Sequence, residues 1–540
     1  MKSKNKTKFA ATTFLVFILI VLFLLTGCKK QEEKENSQPT PNLIELLENP
    51  DVIELLRNGK PTILPTPTAQ KLPVSWRGFN LTNIIEGYPF EDDFKMMSEF
   101  GFNFVRVMIN YKMLINEYYK HYEISYSKED FKNMIIKNKI NADSVGLVDK
   151  AVELGIKYDI HVSLVFHTAP GWTVDGNRQE PTNLWVDNEP QELFTQFWEY
   201  LAERYKNIPN EYLSFNLVNE PPDIEESVYA ALMKKVADAI WSKNPNRLII
   251  ADGLDTGRKP SYLIKELGMA QATRGYYPHF VTHYMHPEGA SHYLVRPTWP
   301  AVYVPKILYS LADWHGDAPR SIYSIEHDFN EKYNLDVNVG IVSYNARLIA
   351  KADNLIIFNR WFDAEGEQVF NKDYRIEIPA GTKLVTLEVT DGNWLTIDDM
   401  KFTSVSGNGL AFSITPNIPD WGIQIPPVKV SATGEFDYGG VGTKAWLYDT
   451  YFKEWKELVD SGGGAMVGEW GVFFYTPHDV ALKWMEDNLQ IYKECGMGWA
   501  LYSFFNSEFG IFSAKRTDIT HETYNGRRLD RKMLELLQRY

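Results

Sequence analysis

The chain has 540 residues, 44% hydrophobic and 23% charged, with a formal charge of −14. At about 100–200 residues per domain this suits several domains or one barrel with additions, and the ordinary globular composition excludes wholesale disorder, collagen and a polytopic membrane protein. An acidic surface repels phosphate backbones, which argues against a nucleic-acid partner.

Lys2, Lys4, Lys6 and Lys8 precede an apolar run from Phe9 to Leu25, broken by Thr12 and Thr13, and Leu25-Thr26-Gly27-Cys28 follows. A basic start, an apolar stretch and small residues at a cut site read as a secretory signal. The last four residues resemble the lipobox of bacterial lipoproteins. That resemblance implies cleavage before Cys28 and lipid on its thiol. Residues 1–28 are then a signal peptide, and the remainder is extracytoplasmic, anchored to the bacterial cell membrane or outer membrane. An uncleaved anchor is the competing reading, since the run is nearly long enough to span a bilayer. Cys495, the other of two cysteines, then has no disulfide partner and reads as a small buried hydrophobe. Residues 29–73 are polar and contain proline, as a flexible tether does, with one short helix expected at 43–57.

From Trp76 onward, short apolar runs alternate with helical patterns. The expected strands are Trp76–Leu81, Phe104–Ile109, Val162–Phe166, Tyr212–Leu217, Leu248–Ala251 and Phe280–Thr282, then Ala465–Gly468 and Trp499–Phe504. Between them, Val145, Val148, Ala151, Val152 and Leu154 show the spacing of one apolar helix face, as do Leu193, Phe197, Tyr200, Leu201 and Tyr205. This alternation predicts an α/β fold, a (β/α)8 TIM barrel, over residues 74–305 and 432–540. Between strands six and seven the pattern turns β-like. Residues 374–378 and 384–389 alternate, Asp391-Gly392 signals a hairpin, and 394–397 follows. Residues 306–431 therefore read as an inserted β-sandwich, which either binds carbohydrate or buttresses the barrel. Most of Trp361, Trp394 and Trp421 are expected in its core.

In such a barrel, chemistry sits at the C-terminal ends of the strands. The polar residues there are Arg106, His167, Asn219, Glu220, His283, Tyr284 and Glu469. Glu220 ends the run from Leu213, and Glu469 ends the run from Ala465. A lone glutamate at a strand end reads first as a salt-bridge or capping residue. Two at one mouth are what glycoside hydrolysis requires: one protonates the leaving oxygen, the other attacks the anomeric carbon or activates water. His283 and His286 are spaced for a metal, but no third ligand accompanies them, so no metal and no cofactor is expected.

The ordered set resembles glycoside hydrolase family 5, the cellulase family, in a subgroup with a β-rich insertion before the nucleophile strand. It comprises Arg106 in Asn103-Phe-Val-Arg-Val107, His167 in His167-Thr-Ala-Pro-Gly171, Asn219-Glu220-Pro221 and His283 in Val281-Thr-His-Tyr284. Glu469 in Val467-Gly-Glu-Trp-Gly471 and the run Gly498 to Phe504 complete it. The resemblance implies Glu220 as acid/base and Glu469 as nucleophile of a retaining mechanism. It also implies that Arg106 keeps Glu469 ionised, Asn219 meets the sugar 2-hydroxyl, and His167 and His283 position substrate or carboxylates. Two departures stand out. The family commonly has His-x-Tyr after strand six, where this chain has His283-Tyr284, so the assisting tyrosine is displaced or absent. The usual strand-eight tryptophan is Tyr502, with Trp499 as the other candidate. Trp172 and Trp299, on loops, are candidate stacking platforms for sugar rings, whereas Trp185 reads as a loop anchor.

The expected activity is endo-acting cleavage of β-1,4-glucan by a monomer. Mannan, xyloglucan and mixed-linkage glucan are the neighbouring substrates. A transglycosylase shares every residue named, and a non-catalytic glycan-binding lipoprotein is the reading from another class.

Overall fold

Eight parallel strands close on one another. They are β1 (Arg77–Leu81), β2 (Phe104–Asn110), β3 (His161–Ala169), β4 (Leu213–Val218), β5 (Ile249–Asp252), β6 (Ala270–Gly275), and, beyond an insertion, β11 (Ala465–Trp470) and β12 (Gly498–Leu501). Phe79 pairs with Val105 on one side of β1 and with Leu501 on the other, which seals the cylinder. This is the (β/α)8 barrel that the alternation predicts. The computed structural model describes residues 70–82, 91–116, 125–175, 180–287, 296–302, 304–310, 322–417, 427–438, 442–505, 508–513 and 515–540. The signal segment with Cys28, the helix expected at 43–57, most of the tether and Trp421 lie outside them.

Helices α1 (Glu91–Glu99), α2 (Ala142–Tyr158), α3 (Asn188–Arg204), α4 (Glu226–Lys243), α5 (Lys453–Asp460), α6 (His478–Cys495) and α7 (Arg531–Arg539) surround the barrel. α2 starts where the Asn141 side chain accepts from the Ser144 N–H, and it buries Val145, Val148, Val152 and Leu154 against the strands. Cys495 is buried at the end of α6, and burial pushes its thiol up to about 12.

The barrel interior changes character along its axis. At the N-terminal end, Trp76, Phe104, Leu248, Ile250, Ala270, Ala272 and Met466 form an apolar plug. Alternate strand residues share a face, so the next inward positions are two residues on. Phe104 leads to Arg106, Ile250 to Asp252 and Ala272 to Arg274, all three buried. The alternation that fills the floor with hydrocarbon thus delivers charge to the mouth.

The sixth strand differs from expectation. Phe280–Thr282 belongs to one turn of helix (His279–Thr282), and β6 lies earlier, at Ala270–Gly275. A short apolar β-branched run is ambiguous between strand and buried helix. The true strand reads Ala-Gln-Ala-Thr-Arg-Gly, poor in strand formers, and holds its place by pairing with β5 and β11.

The insertion is β-rich, and among its described residues no α-helix occurs. Its main strands are β7 (Ile322–Phe329), β8 (Tyr333–Ala352), β9 (Leu355–Ile378) and β10 (Thr382–Ser404), hydrogen-bonded into one continuous sheet bent by bulges. Its core is built from Phe329, Tyr333, Leu335, Val337, Phe362, Phe402 and their neighbours. The two described tryptophans are not in it: Trp361 is 47% exposed and Trp394 is half-buried. Smaller rings and aliphatic residues at alternate positions suffice to fill this sheet's inner face. The chain leaves and re-enters the barrel at one point, where the Ala301 N–H donates to the Gly442 carbonyl at 3.0 Å.

Candidate active site

Arg106 lies at the centre of the mouth, fully buried, with every guanidinium N–H engaged. Its Nε donates to Asn216 Oδ1 at 2.8 Å. Nη1 donates to Asn80 Oδ1 at 3.1 Å and to Glu469 Oε2 at 2.9 Å. Nη2 donates to Asn219 Oδ1 at 2.9 Å and to Asp252 Oδ2 at 3.4 Å. Desolvation of a cation this deep is offset only by paired, hydrogen-bonded anions. Glu469, on β11, takes a second bond on its other oxygen, from the Tyr276 hydroxyl at 2.8 Å. Held by an arginine and a phenol, its carboxylate is fixed in direction.

Glu220 sits just past β4 with φ +47°, a left-handed backbone that an L-residue adopts at a cost. Its N–H donates to Asp252 Oδ2 at 3.0 Å, which stabilises that turn. Its Oε1 accepts from Arg274 Nε at 2.7 Å. Burial pushes the Glu220 carboxyl up to about 7; Arg274 opposes this and the charge of Glu469 adds to it. Arg274 Nε is also 4.0 Å from Glu469 Oε2, so one guanidinium spans the two glutamates.

Asn219 is buried and turns its Oδ1 to both arginines, with Arg274 Nη2 at 2.8 Å. That orients the amide, and its Nδ2 is left without a partner. Trp172 is half-buried and donates from Nε1 to the Asn219 carbonyl at 2.9 Å, so its ring edges the same site. His167, half-buried on β3, is pushed down to about 4 by burial, against the pull of Glu469, and is therefore neutral near pH 7.

Other candidates fall elsewhere. His283 lies behind Tyr276, ring centroids 5.4 Å apart, with Nδ1 2.8 Å from the Thr282 hydroxyl. Burial pushes its pKa well below the usual histidine range, so it packs as a neutral ring. Tyr284 is in the turn beyond, and the phenol on Glu469 belongs to Tyr276 instead. Tyr502 is half-buried beside Phe509 and clusters with Tyr276, Phe473 and Phe474 at the mouth. Trp499 is a correction: 3% exposed, it packs against Trp470 and Phe102 in the barrel wall, outside the cleft. Trp299 is another: buried, it donates from Nε1 to Asp487 on α6 at 2.8 Å. Trp185 is buried between Trp172 and Tyr229, as a loop anchor should be.

Asp252, Arg274 and Tyr276 are absent from the sequence-based set. The misplaced sixth strand hid the last two. Tyr276 takes the tyrosine's place in the His-x-Tyr pattern, and two residues before it Arg274 stands where that pattern has histidine. Asp252 ends β5 one residue beyond the expected strand, and inward alternation from Ile250 would have found it.

Residues 67–290, which include the first six barrel strands, match the model of the cellulase family, glycosyl hydrolase family 5. Endoglucanase C of Acetivibrio thermocellus is 25% identical over 163 residues, 30% of this chain and 42% of that protein. Cellodextrinase A of Ruminococcus flavefaciens is 29% identical over 140 residues, 26% of this chain and 35% of that protein. The chain thus spans less than half the length of the curated relatives it matches. A solved structure described as a glycoside hydrolase aligns with a TM-score of 0.51 at 23% identity, over 86% of this chain and 98% of that one, which speaks for the fold.

Proposed function

We propose that the chain is a retaining, endo-acting glycoside hydrolase that cleaves β-1,4-linked glucan. The observation that carries this is the Glu220–Arg274–Glu469 bridge. Glu220 Oε1 is 2.7 Å from Arg274 Nε, and Glu469 Oε2 is 4.0 Å from the same atom. Laid end to end, those distances barely reach the lower bound of the about 6.5–9.5 Å between carboxyls in inverting enzymes, and they admit the about 5–5.5 Å of retaining ones.

In the first half-reaction Glu469 attacks the anomeric carbon. The bond to the leaving oxygen breaks, and that oxygen takes the Glu220 proton. In the second, Glu220 takes a proton from water, the water oxygen attacks the anomeric carbon, and the ester electrons return to Glu469. Asn219, with a free amide N–H₂, is the donor for a sugar hydroxyl, and Trp172 and Tyr502 are the aromatic surfaces beside it. The family match and the endoglucanase relative support glucan as the substrate. Lipid on Cys28, by its lipobox resemblance, would hold the enzyme outside the cytoplasm on a membrane.

Reducing-sugar release from carboxymethyl cellulose, lichenan, xyloglucan and mannan tests the reading, on protein lacking residues 1–28. Release is expected from the glucans, with the β-anomer formed first by NMR, and Glu469→Gln should lower it by at least about 10³-fold. Release from mannan or xyloglucan alone would move the substrate within the same chemistry. Binding without release from any polymer would make the chain a glycan-binding protein.

A further inference from the structure

Five charged side chains share one buried chamber: Arg106 and Arg274 with Asp252, Glu220 and Glu469. Among the described residues, the other titratable groups that interact with Glu220 or Glu469 include His167, Tyr276 and Tyr277; burial pushes the histidine down and both phenols up, so all three are neutral near pH 7. Asp252 accepts from Arg274, Arg106, the Glu220 N–H and Asn216 Nδ2, so both its oxygens are occupied as acceptors. With two cations present, the chamber is neutral when one of the three carboxyls carries a proton. In the resting state, with Glu469 bound by Arg106 and Tyr276, the proton belongs on Glu220. Once Glu469 is esterified its charge is gone, and neutrality then requires Glu220 ionised.

Arg274 is built to serve both states. It donates to Glu220 from Nε, while Asp252 and Asn219 hold Nη2 and the Thr273 carbonyl accepts from Nη1 at 3.2 Å. Two glycines make room for it. A Cβ on Gly257 (φ +86°) would meet Arg274 Cγ at 2.7 Å, and one on Gly468 would meet Nη1 at 3.1 Å.

We infer that Arg274, braced by Asp252, is a positioning residue that carries Glu220 between its two roles, proton donor in the first half-reaction and base in the second. This rests on the hydrolase reading above. While Glu469 is an anion, Arg274 shares its charge between two glutamates and Asp252, and Glu220 keeps its proton to give to the leaving oxygen. When the ester forms, the same guanidinium answers Glu220 and Asp252 alone. Glu220 is then held as the carboxylate that takes the proton from water.

The test uses Arg274→Gln, Arg274→Lys and Asp252→Asn in the protein lacking residues 1–28. Substrates are the phenyl and 2,4-dinitrophenyl glycosides of the disaccharide released from whichever polymer the panel identifies. Arg274→Gln should move the alkaline limb of kcat/KM for the phenyl glycoside up by about half a pH unit or more. With the dinitrophenyl glycoside it should give a burst, turnover about tenfold slower or more, and a glycosyl-enzyme visible by intact mass. Arg274→Lys should restore part of that turnover. Asp252→Asn, which removes one negative charge beside Glu220 and leaves Arg274 to the two glutamates, should move the limb down instead. Unmoved limbs with proportional losses on both substrates would make the pair purely architectural and overturn the inference. If Arg274→Gln does not fold, the Asp252→Asn limb decides: a downward shift upholds the inference, an unmoved or upward one overturns it. A wild type inert on every polymer sinks the hydrolase reading and this one together; an active wild type with unmoved limbs sinks this one alone.

Discussion

Glu220 is poised for chemistry by the same burial that costs the fold stability. In the unfolded chain its carboxyl titrates near the ordinary about 4.3, and in the fold it is pushed up to about 7. Between those values the folded protein holds a proton that the unfolded chain has released. Stability therefore falls as pH rises across that window and stays lowered above it. Glutamine keeps an oxygen for Arg274 and has no charge to desolvate. Glu220→Gln should match wild type in stability at pH 4 and exceed it at pH 8 by on the order of 1–3 kcal/mol, read by urea unfolding at both pH values. Equal or lower stability at pH 8 would mean that the Arg274 pair outweighs burial. At this scale the sequence was legible where a polar residue closes an apolar run. Asn219, Glu220 and Glu469 reach one chamber for that reason, and Arg106 joins them by inward alternation from Phe104. Arg274 and Tyr276 are not legible in this way, because the strand Ala270–Gly275 has no apolar run for them to close, whereas Asp252 closes the run Leu248–Ala251 and is reached by the same rule.

At the scale of elements, eight strands and their helices follow from local periodicity, except where composition misleads. β6 is a strand by its neighbours rather than by its own residues. The loop after β3 is likewise fastened by contacts that no local pattern announces. Glu180, in that loop, lies 2.7 Å from the Lys112 ammonium just after β2, both nearly buried, a charge contact rather than an aligned hydrogen bond. The Tyr111 hydroxyl donates to its other oxygen at 2.7 Å. Breaking a buried pair strands a charge, whereas removing both members does not. Lys112→Met should cost about 3–5 kcal/mol in urea unfolding, and Lys112→Met with Glu180→Gln should recover more than half of that. The same loop holds Trp172 against Asn219, so the single variant should also raise KM on the polymer, and the double variant should reverse it. A loss below about 1 kcal/mol for Lys112→Met would show that Glu180 reaches water once the lysine is gone.

Across the described molecule, two hydrophobic cores share no residue, one between barrel and helices and one inside the insertion. The chain passes from the first core to the second between Ala301 and Val304, and back between Val430 and Leu447. Because Ala301 and Gly442 are hydrogen-bonded, the barrel's two loose ends already lie side by side. Closing them costs little chain entropy, since loop closure depends only weakly on length and the ends need no displacement. Replacing residues 302–441 by a short Gly-Ser bridge should leave a cooperatively unfolding barrel. Its turnover of the aryl glycoside should stay within about threefold of the full chain, because every residue bonded to Glu220 and Glu469 lies outside the removed segment. The polymer separates the insertion's two expected roles. Preserved aryl turnover with lowered release from insoluble cellulose is the signature of a glycan-holding surface, for which the exposed Trp361 beside Arg347 on the neighbouring strand is suited. A barrel that aggregates, or loses aryl turnover more than about a hundredfold, would instead make the insertion a buttress of the mouth, and the independence of the two cores would be apparent only.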